Sequence, residues 1–113
     1  MHEVSIIQSV IEIVTKQALE NNLTKINNVS LIIGELSGVM PESLEFAFAS
    51  CIKGTMLEES TLNIEIVSAL GECKECNLEF PIEHFNKLCP SCKKFCTNII
   101  RGYELYIKTI EGD

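Results

Sequence analysis

The spacing of hydrophobic residues changes several times along the chain, and each change predicts a new secondary-structure element. In the first twenty residues the apolar positions recur at helical spacing, which predicts an amphipathic helix that ends near Asn21-Asn22. The apolar stripe consists of Val4, Ile7, Ile11, Val14 and Ala18, widened by Ile6, Val10 and Ile13. From residue 28 to 36 the period becomes two, which predicts a strand. Its inner face carries Val29, Leu31 and Ile33.

A second helix is predicted to begin at Pro41, because proline is favoured in the first turn of a helix. Its apolar face consists of Leu44, Ala47, Phe48, Cys51 and Ile52, and Gly54 is a candidate for its C-terminal cap. Strict alternation returns from Thr61 to Val67 and predicts a second strand. A similar alternation over residues 99 to 110 predicts a third strand.

This order of elements predicts an α+β fold, with two helices packed on a small three-stranded sheet. A cysteine-rich segment lies between the second and third predicted strands. We therefore expect residues 71–96 to form an inserted zinc-ribbon-like domain. Residues 1–70 and 97–113 are expected to form the α/β domain that surrounds the insertion.

The inserted segment contains two C-x₂-C pairs, Cys73/Cys76 and Cys89/Cys92, with twelve residues between the pairs. A C-x₂-C turn directs two thiolates toward one point, and two such turns supply the four sulfurs of a tetrahedral zinc site. The alternatives are two disulfides, or one redox-active pair with two uninvolved cysteines. The paired spacing favours zinc, because it is among the more specific short metal-binding signals.

Composition and charge narrow the class of protein. The 113 residues are 46% apolar and 22% charged, as in an ordinary globular chain, with a formal charge of −7. This acidic balance lacks the basic surface that phosphate neutralisation needs, so a nucleic-acid partner is disfavoured. The pattern of the first twenty residues is not that of a signal peptide, and no apolar run reaches the length of a membrane span. We therefore expect a cytoplasmic protein whose cysteines stay reduced, which again favours metal binding.

No pattern in the chain predicts an enzyme. It contains two histidines and no glycine-rich phosphate loop, and a zinc site closed by four cysteines is structural rather than catalytic. Of the remaining candidate ligands, Cys51 is interpreted as a small residue of a helix face and Cys96 as a spare thiol. His84 is interpreted as an exposed residue of the loop between the two cysteine pairs.

A second metal site is suggested by the start of the chain. Methionine is normally removed only before a small residue, so Met1 is expected to stay and to keep a free α-amino group. This amine, the backbone nitrogen of residue 2 and the His2 imidazole can close fused chelate rings around one ion. Nitrogen-rich tetragonal sites suit Ni(II) or Cu(II). The alternative is that His2 is an ordinary surface histidine.

Several short motifs together resemble the HypA/HybF family of nickel-insertion proteins, and the resemblance covers essentially the whole chain. They are Met1-His2-Glu3, Gly34-Glu35-Leu36, Pro41-Glu42-Ser43-Leu44, the two cysteine pairs, and Gly102-Tyr103-Glu104-Leu105. One departure is that Lys93-Lys94 follows the second pair, where many members have Gly-Ser. Cys96 is a second unusual feature.

The resemblance implies a nickel metallochaperone that serves maturation of [NiFe] hydrogenase and, in some organisms, urease. It assigns the exchangeable Ni²⁺ to His2, helped by the Met1 amine and by backbone nitrogens near Glu3. It assigns structural Zn²⁺ to Cys73, Cys76, Cys89 and Cys92. The partners it implies are a nickel-handling GTPase, the hydrogenase large-subunit precursor and, where urease is served, urease accessory proteins.

Two other functional classes stay open on the residues alone. A zinc-ribbon adaptor would bind proteins only, with His2 incidental, and would contain zinc alone. A redox protein would use one C-x₂-C pair and form a reversible disulfide. A nickel carrier differs from both because it binds one tight zinc and one exchangeable nickel per chain.

Overall fold

The computed structural model describes residues 2–96 and 98–113, and the side chains of all of these except His2. Its helices are α1 (His2–Glu20) and α2 (Pro41–Cys51). Its strands are β1 (Ile26–Gly34), β2 (Thr61–Val67), β3 (Leu70–Cys73), β4 (Leu78–Pro81), β5 (Asn98–Arg101) and β6 (Leu105–Gly112). They form two three-stranded sheets, in the orders β2-β1-β6 and β4-β3-β5. The predicted α+β class, with two helices, a small three-stranded sheet and an inserted cysteine module, is confirmed.

The chain divides into two compact units. The first comprises Met1–Ile32, Val39–Glu65 and Tyr106–Asp113, and the second comprises Ile33–Gly38 and Ile66–Leu105. All four cysteines of the C-x₂-C pairs belong to the second unit. The predicted domain of residues 71–96 lies inside this unit, and its independence as a domain stays a prediction.

Helix α1 follows its predicted apolar stripe and its predicted end. Ile7, Val10, Val14 and Ala18 are buried, whereas Ile13 at the edge of the stripe is 50% exposed. After the helix, Asn22 adopts a left-handed conformation with φ 60°. The backbone N–H of Leu23 donates to the carbonyl oxygen of Ala18 at 2.8 Å, and that of Asn22 donates to Leu19 at 3.2 Å. This pair of bonds is the Schellman arrangement, which satisfies the last carbonyls of the helix.

Helix α2 begins at Pro41 as predicted, because proline occupies a first-turn position whose N–H needs no partner. Leu44, Ala47 and Phe48 are buried, and α2 contacts α1 within the first unit. Phe46 lies off this stripe and is 77% exposed. In the same unit, Val29 and Leu31 of β1 are buried as the alternating pattern predicted.

The single third strand predicted for residues 99 to 110 is wrong. The structure has two strands there, β5 in the sheet of the cysteine module and β6 in the other sheet. The interruption coincides with Gly102, whose φ of 136° is a value that L-residues rarely adopt. The alternation of side chains continues through this break, so the periodicity did not reveal it.

The segment that follows β1 packs closely against the segment that precedes β6 within the second unit. The backbone N–H of Gly34 donates to the carbonyl oxygen of Glu104 at 2.8 Å, and that of Leu36 donates to Gly102 at 2.6 Å. A Cβ atom on Gly34 would overlap the carbonyl oxygen of Gly102. Glycine is therefore required at position 34 by the close approach of two backbone segments.

Replacing Gly34 by alanine is expected to lower the free energy of unfolding by about 2 kcal/mol or more, because backbone must move to admit the methyl group. Gly38→Ala is the matched control, since a Cβ there meets open space and is opposed only by a φ of 81°. That control should cost about 1 kcal/mol. Urea unfolding of both variants in the same metal state tests this expectation, and equal losses would contradict the steric argument.

Candidate metal centre

The first cysteine pair lies in the turn that joins β3 to β4. The two strands are antiparallel, and Cys73 pairs with Leu78 at the last position of the ladder. Asn77, which follows Cys76, has a φ of 52°. Asparagine tolerates this left-handed conformation better than most residues, so it suits the position that reverses the chain. The turn thus places both thiols of the pair at the same end of the hairpin.

The second cysteine pair forms a similar turn. The backbone N–H of Lys93 donates to the carbonyl oxygen of Cys89 at 2.9 Å, and the N–H of Cys89 donates to Lys94 at 3.0 Å. Lys93 follows Cys92 and has a φ of 63°, which parallels the left-handed residue after the first pair. A lysine at such a position bears a steric cost of about 1–2 kcal/mol that glycine would not. A glycine here, as in many members of the family that the sequence resembles, would relieve this cost.

The two turns bring the four predicted cysteines together. The sulfur atoms of Cys73, Cys76, Cys89 and Cys92 all lie within 4.8 Å of one another. The Sγ atoms of Cys73 and Cys92 are 3.6 Å apart. A tetrahedron of sulfurs about 2.3 Å from a central ion has edges of about 3.8 Å, so four thiolates at this spacing fit a tetrahedral metal. Within the described residues this is the group of side chains whose arrangement fits a metal ion.

The protein environment treats these thiols unequally when no cation is present. Backbone N–H groups of Cys92 and Ser91 point to the sulfur of Cys89 and lower its pKa to about 7, because they stabilise the thiolate. The pKa of Cys76 is raised to about 12, first by its hydrogen bond to the thiol of Cys92 and then by loss of solvation. One thiolate is thus favoured, and further negative charge is opposed until a cation arrives.

The remaining candidate ligands are not members of this group of four. Cys96 is buried, and its Sγ donates a hydrogen bond to the carbonyl oxygen of Glu72 at 2.9 Å. Cys51 is a half-buried residue at the end of α2, in the first unit. His84 is exposed and has a φ of 54°. All six cysteines carry free thiols.

The residues predicted to bind nickel are only partly described. Met1 and the side chain of His2 lie outside the described residues, and the backbone of His2 begins α1. Glu3 is a half-buried acidic residue in the first turn of that helix. A carboxylate near a helix N-terminus is stabilised by the positive end of the helix dipole. The nickel site therefore stays a prediction from the sequence.

Among the described residues, no helix has both the length and the apolar character needed to cross a bilayer.

Comparison with known families matches residues 1–112 to the model described as "Hydrogenase/urease nickel incorporation, metallochaperone, hypA". The match extends over both sheets and includes all four clustered cysteines. The chain belongs to the HypA family. The resemblance inferred from the motifs is therefore confirmed, and the family is one of nickel metallochaperones.

Individual relatives agree over nearly the whole length. A protein named "Hydrogenase maturation factor HypA" from Geobacter sp. (strain M21) is 47% identical over 111 residues, or 98% of each chain. One of the same name from Chlorobaculum parvum is 41% identical over 110 residues, or 97% of each chain. The solution structure of the Ni metallochaperone HypA from Helicobacter pylori matches with a TM-score of 0.67 and 25% identity, covering 97% of this chain and 96% of that chain.

The unequal thiols of this HypA-family chain predict a pH-dependent release of protons on metal binding. Above a pH of about 7 the Cys89 thiol has already lost its proton, whereas below that pH the metal must displace it. As the pH is lowered from about 8 to about 6, the number of protons released per Zn²⁺ should therefore rise by about one. The affinity for Zn²⁺ should fall more steeply with decreasing pH below a pH of about 7. Calorimetry in two buffers of different ionisation enthalpy measures this number. A constant number across the range would contradict the lowered pKa of Cys89.

Proposed function

We propose that this protein is a cytoplasmic, non-catalytic carrier that binds nickel at its N-terminus and delivers it during maturation of [NiFe] hydrogenase. The observation that carries the proposal is the family match over residues 1–112, which includes Met1-His2-Glu3. The carrier is proposed to work with a nickel-handling GTPase and with the precursor of the hydrogenase large subunit. Where urease is also served, urease accessory proteins are further partners.

Nickel is the cargo, and we assign its ligands to the first residues of the chain. The α-amino group of Met1, the imidazole of His2 and backbone nitrogens near Glu3 form a nitrogen-rich set that suits the tetragonal geometry of Ni(II). The backbone nitrogens at the start of a helix have no intrahelical acceptor, so they are available without loss of a helical hydrogen bond. Backbone nitrogens at the start of α1 are therefore suitable members of the proposed nickel ligand set.

Zinc is the metal assigned to the four clustered cysteines. Four thiolates in tetrahedral positions are a typical structural zinc set, and they leave no open position for a substrate. We assign to this zinc the role of holding the two cysteine turns together. Residues 71–96 are proposed to fold with the metal as one domain, inserted into an α/β domain of residues 1–70 and 97–113.

The nickel assignment is tested by His2→Ala and by adding one residue before Met1. The first change removes the imidazole, and the second converts a basic amine into an amide nitrogen. Each removes one strong donor from the same chelate, so each is expected to weaken nickel binding by about 10³-fold, or roughly 4 kcal/mol. Calorimetric titration with Ni²⁺ measures the affinity, and zinc content is determined in the same samples.

His84→Ala is the matched control, because it removes the other histidine of the chain, which is exposed in the second unit. It should leave nickel affinity unchanged, and zinc content should equal that of the wild type in every variant. Equal nickel affinity in all four proteins would overturn the carrier mechanism. Zinc without any tight nickel site in the wild type would favour the zinc-ribbon adaptor instead.

The zinc assignment is tested by Cys73→Ala and Cys89→Ala. Each change should release the metal and unfold the cysteine turns, because metal binding supplies much of the folding energy of so small a module. Helical circular dichroism should persist, since the buried stripes of α1 and α2 contain none of the four thiols. Cys51→Ala is the control and should keep stoichiometric zinc. Retention of zinc by both the Cys73→Ala and the Cys89→Ala variant would disprove the assignment of these cysteines as zinc ligands.

A further inference from the structure

Cys96 occupies a buried position that the metal assignment does not use. Its side chain is 4% exposed and belongs to the core cluster that also contains Cys73 and Cys89. Its Sγ donates to the carbonyl oxygen of Glu72 at 2.9 Å and approaches that of Asn98 at 3.3 Å. A thiolate has no proton to donate, so these contacts require the protonated thiol rather than a metal-bound one.

The backbone of the same residue makes a second connection. The N–H of Cys96 donates to the carbonyl oxygen of Lys87 at 2.8 Å. Glu72 directly precedes Cys73, and Lys87 lies two residues before Cys89. Through its side chain and its backbone, Cys96 therefore bonds to the chain just ahead of each cysteine turn.

Neighbouring contacts restrain the same segments. The side-chain amide of Asn98 donates to the carboxylate of Glu72 at 2.6 Å, so Glu72 is held through both its backbone and its side chain. On either side of the second cysteine turn, Leu88 pairs with Phe95 in an isolated antiparallel bridge. Cys96 directly follows Phe95, so it lies between this bridge and the restrained segment at Glu72. Its hydrogen bond to Glu72 links these two segments, in addition to the ion pair between Lys94 and Glu75 at 2.8 Å.

We infer that Cys96 is a positioning residue for the four-thiol site: its thiol fixes the base of the first cysteine turn relative to the base of the second without binding the metal. The inference rests on the proposed zinc site. Metal ligands are usually oriented by hydrogen bonds from residues outside the ligand set, and loss of such a bond weakens the metal. In this chain a protonated cysteine supplies that bond, so the residue that could compete for zinc instead stabilises its ligands.

The test compares Cys96→Ser, which keeps a hydrogen-bond donor, with Cys96→Ala, which removes it. Zinc affinity of the full chain is measured by competition with a chromogenic chelator. Cys96→Ala should bind zinc about fivefold more weakly or worse, as expected for loss of one buried hydrogen bond, whereas Cys96→Ser should stay within about twofold of the wild type. Cys51→Ala and Cys51→Ser make the same chemical changes at the end of α2 and should change nothing.

Cobalt substitution supplies a second readout, because the thiolate-to-Co²⁺ charge-transfer band reports the number of bound sulfurs. This band should be the same in the wild type and in both Cys96 variants. A weaker band in the variants would make Cys96 a ligand and overturn the inference. Equal zinc affinity of Cys96→Ala and the wild type, or equal losses in both Cys96 variants, would also overturn it.

If Cys96→Ala does not fold, Cys96→Ser alone decides, since it must keep the affinity and the cobalt spectrum of the wild type. Failure of the zinc proposal gives a different result, because the wild type itself would then bind no stoichiometric zinc.

Discussion

Mutual repulsion among four thiolates is the constraint on which the second unit depends. Their sulfur atoms lie within 4.8 Å of one another, a distance at which several negative charges cannot coexist without a cation between them. The free thiols are unequal, since backbone N–H groups lower the pKa of Cys89 while a hydrogen bond to Cys92 and loss of solvation raise that of Cys76. A bound divalent cation offsets the repulsion among the sulfurs and makes four thiolates favourable together. A bound cation would thus hold the two cysteine turns in register by charge, in addition to backbone geometry.

The apolar core of the second unit is small for the task of holding the two cysteine turns in register without a metal. Its buried cluster consists of Leu36, Ala69, Cys73, Phe80, Ile82, Cys89 and Cys96. Three of these seven residues are cysteines, and two of those three belong to the proposed ligand set. A bound metal would therefore fix two of the seven buried side chains directly. Small modules commonly depend on a metal in this way, because they bury too little apolar surface to offset the loss of chain entropy.

The cysteine cluster could be predicted from spacing because a C-x₂-C turn leaves its two thiols little freedom. Both helices could be predicted because their stripes coincide with residues that are buried, such as Val14 and Leu44. The break at Gly102 could not, since side-chain alternation continues through it while the backbone changes conformation. In the structure it coincides with a close contact between Gly102 and Gly34, which are far apart in the sequence.

The buried hydrogen bond of Cys96 could not be predicted for a related reason. Its spacing of four residues from Cys92 suggests either a spare thiol or a competing ligand, and sequence carries no information on the direction of its S–H group. The structure supplies that direction through the contact with Glu72. Left-handed residues such as Lys93 were likewise not predicted, because lysine gives no local signal for a positive φ.

The two proposed metal sites differ in the way that a metal carrier requires. Affinities of similar ligands for Ni²⁺ and Zn²⁺ are not far apart, so a chain that handles both must separate them by donor type and geometry. Four sulfurs in a closed tetrahedron favour zinc and leave no position through which a partner could extract it. Nitrogen donors at the first residues of a helix favour nickel, and backbone nitrogens without helical acceptors can release it without unfolding the helix. In the proposed arrangement, cargo is kept at donors that can exchange, while the metal that maintains the fold is enclosed by sulfur.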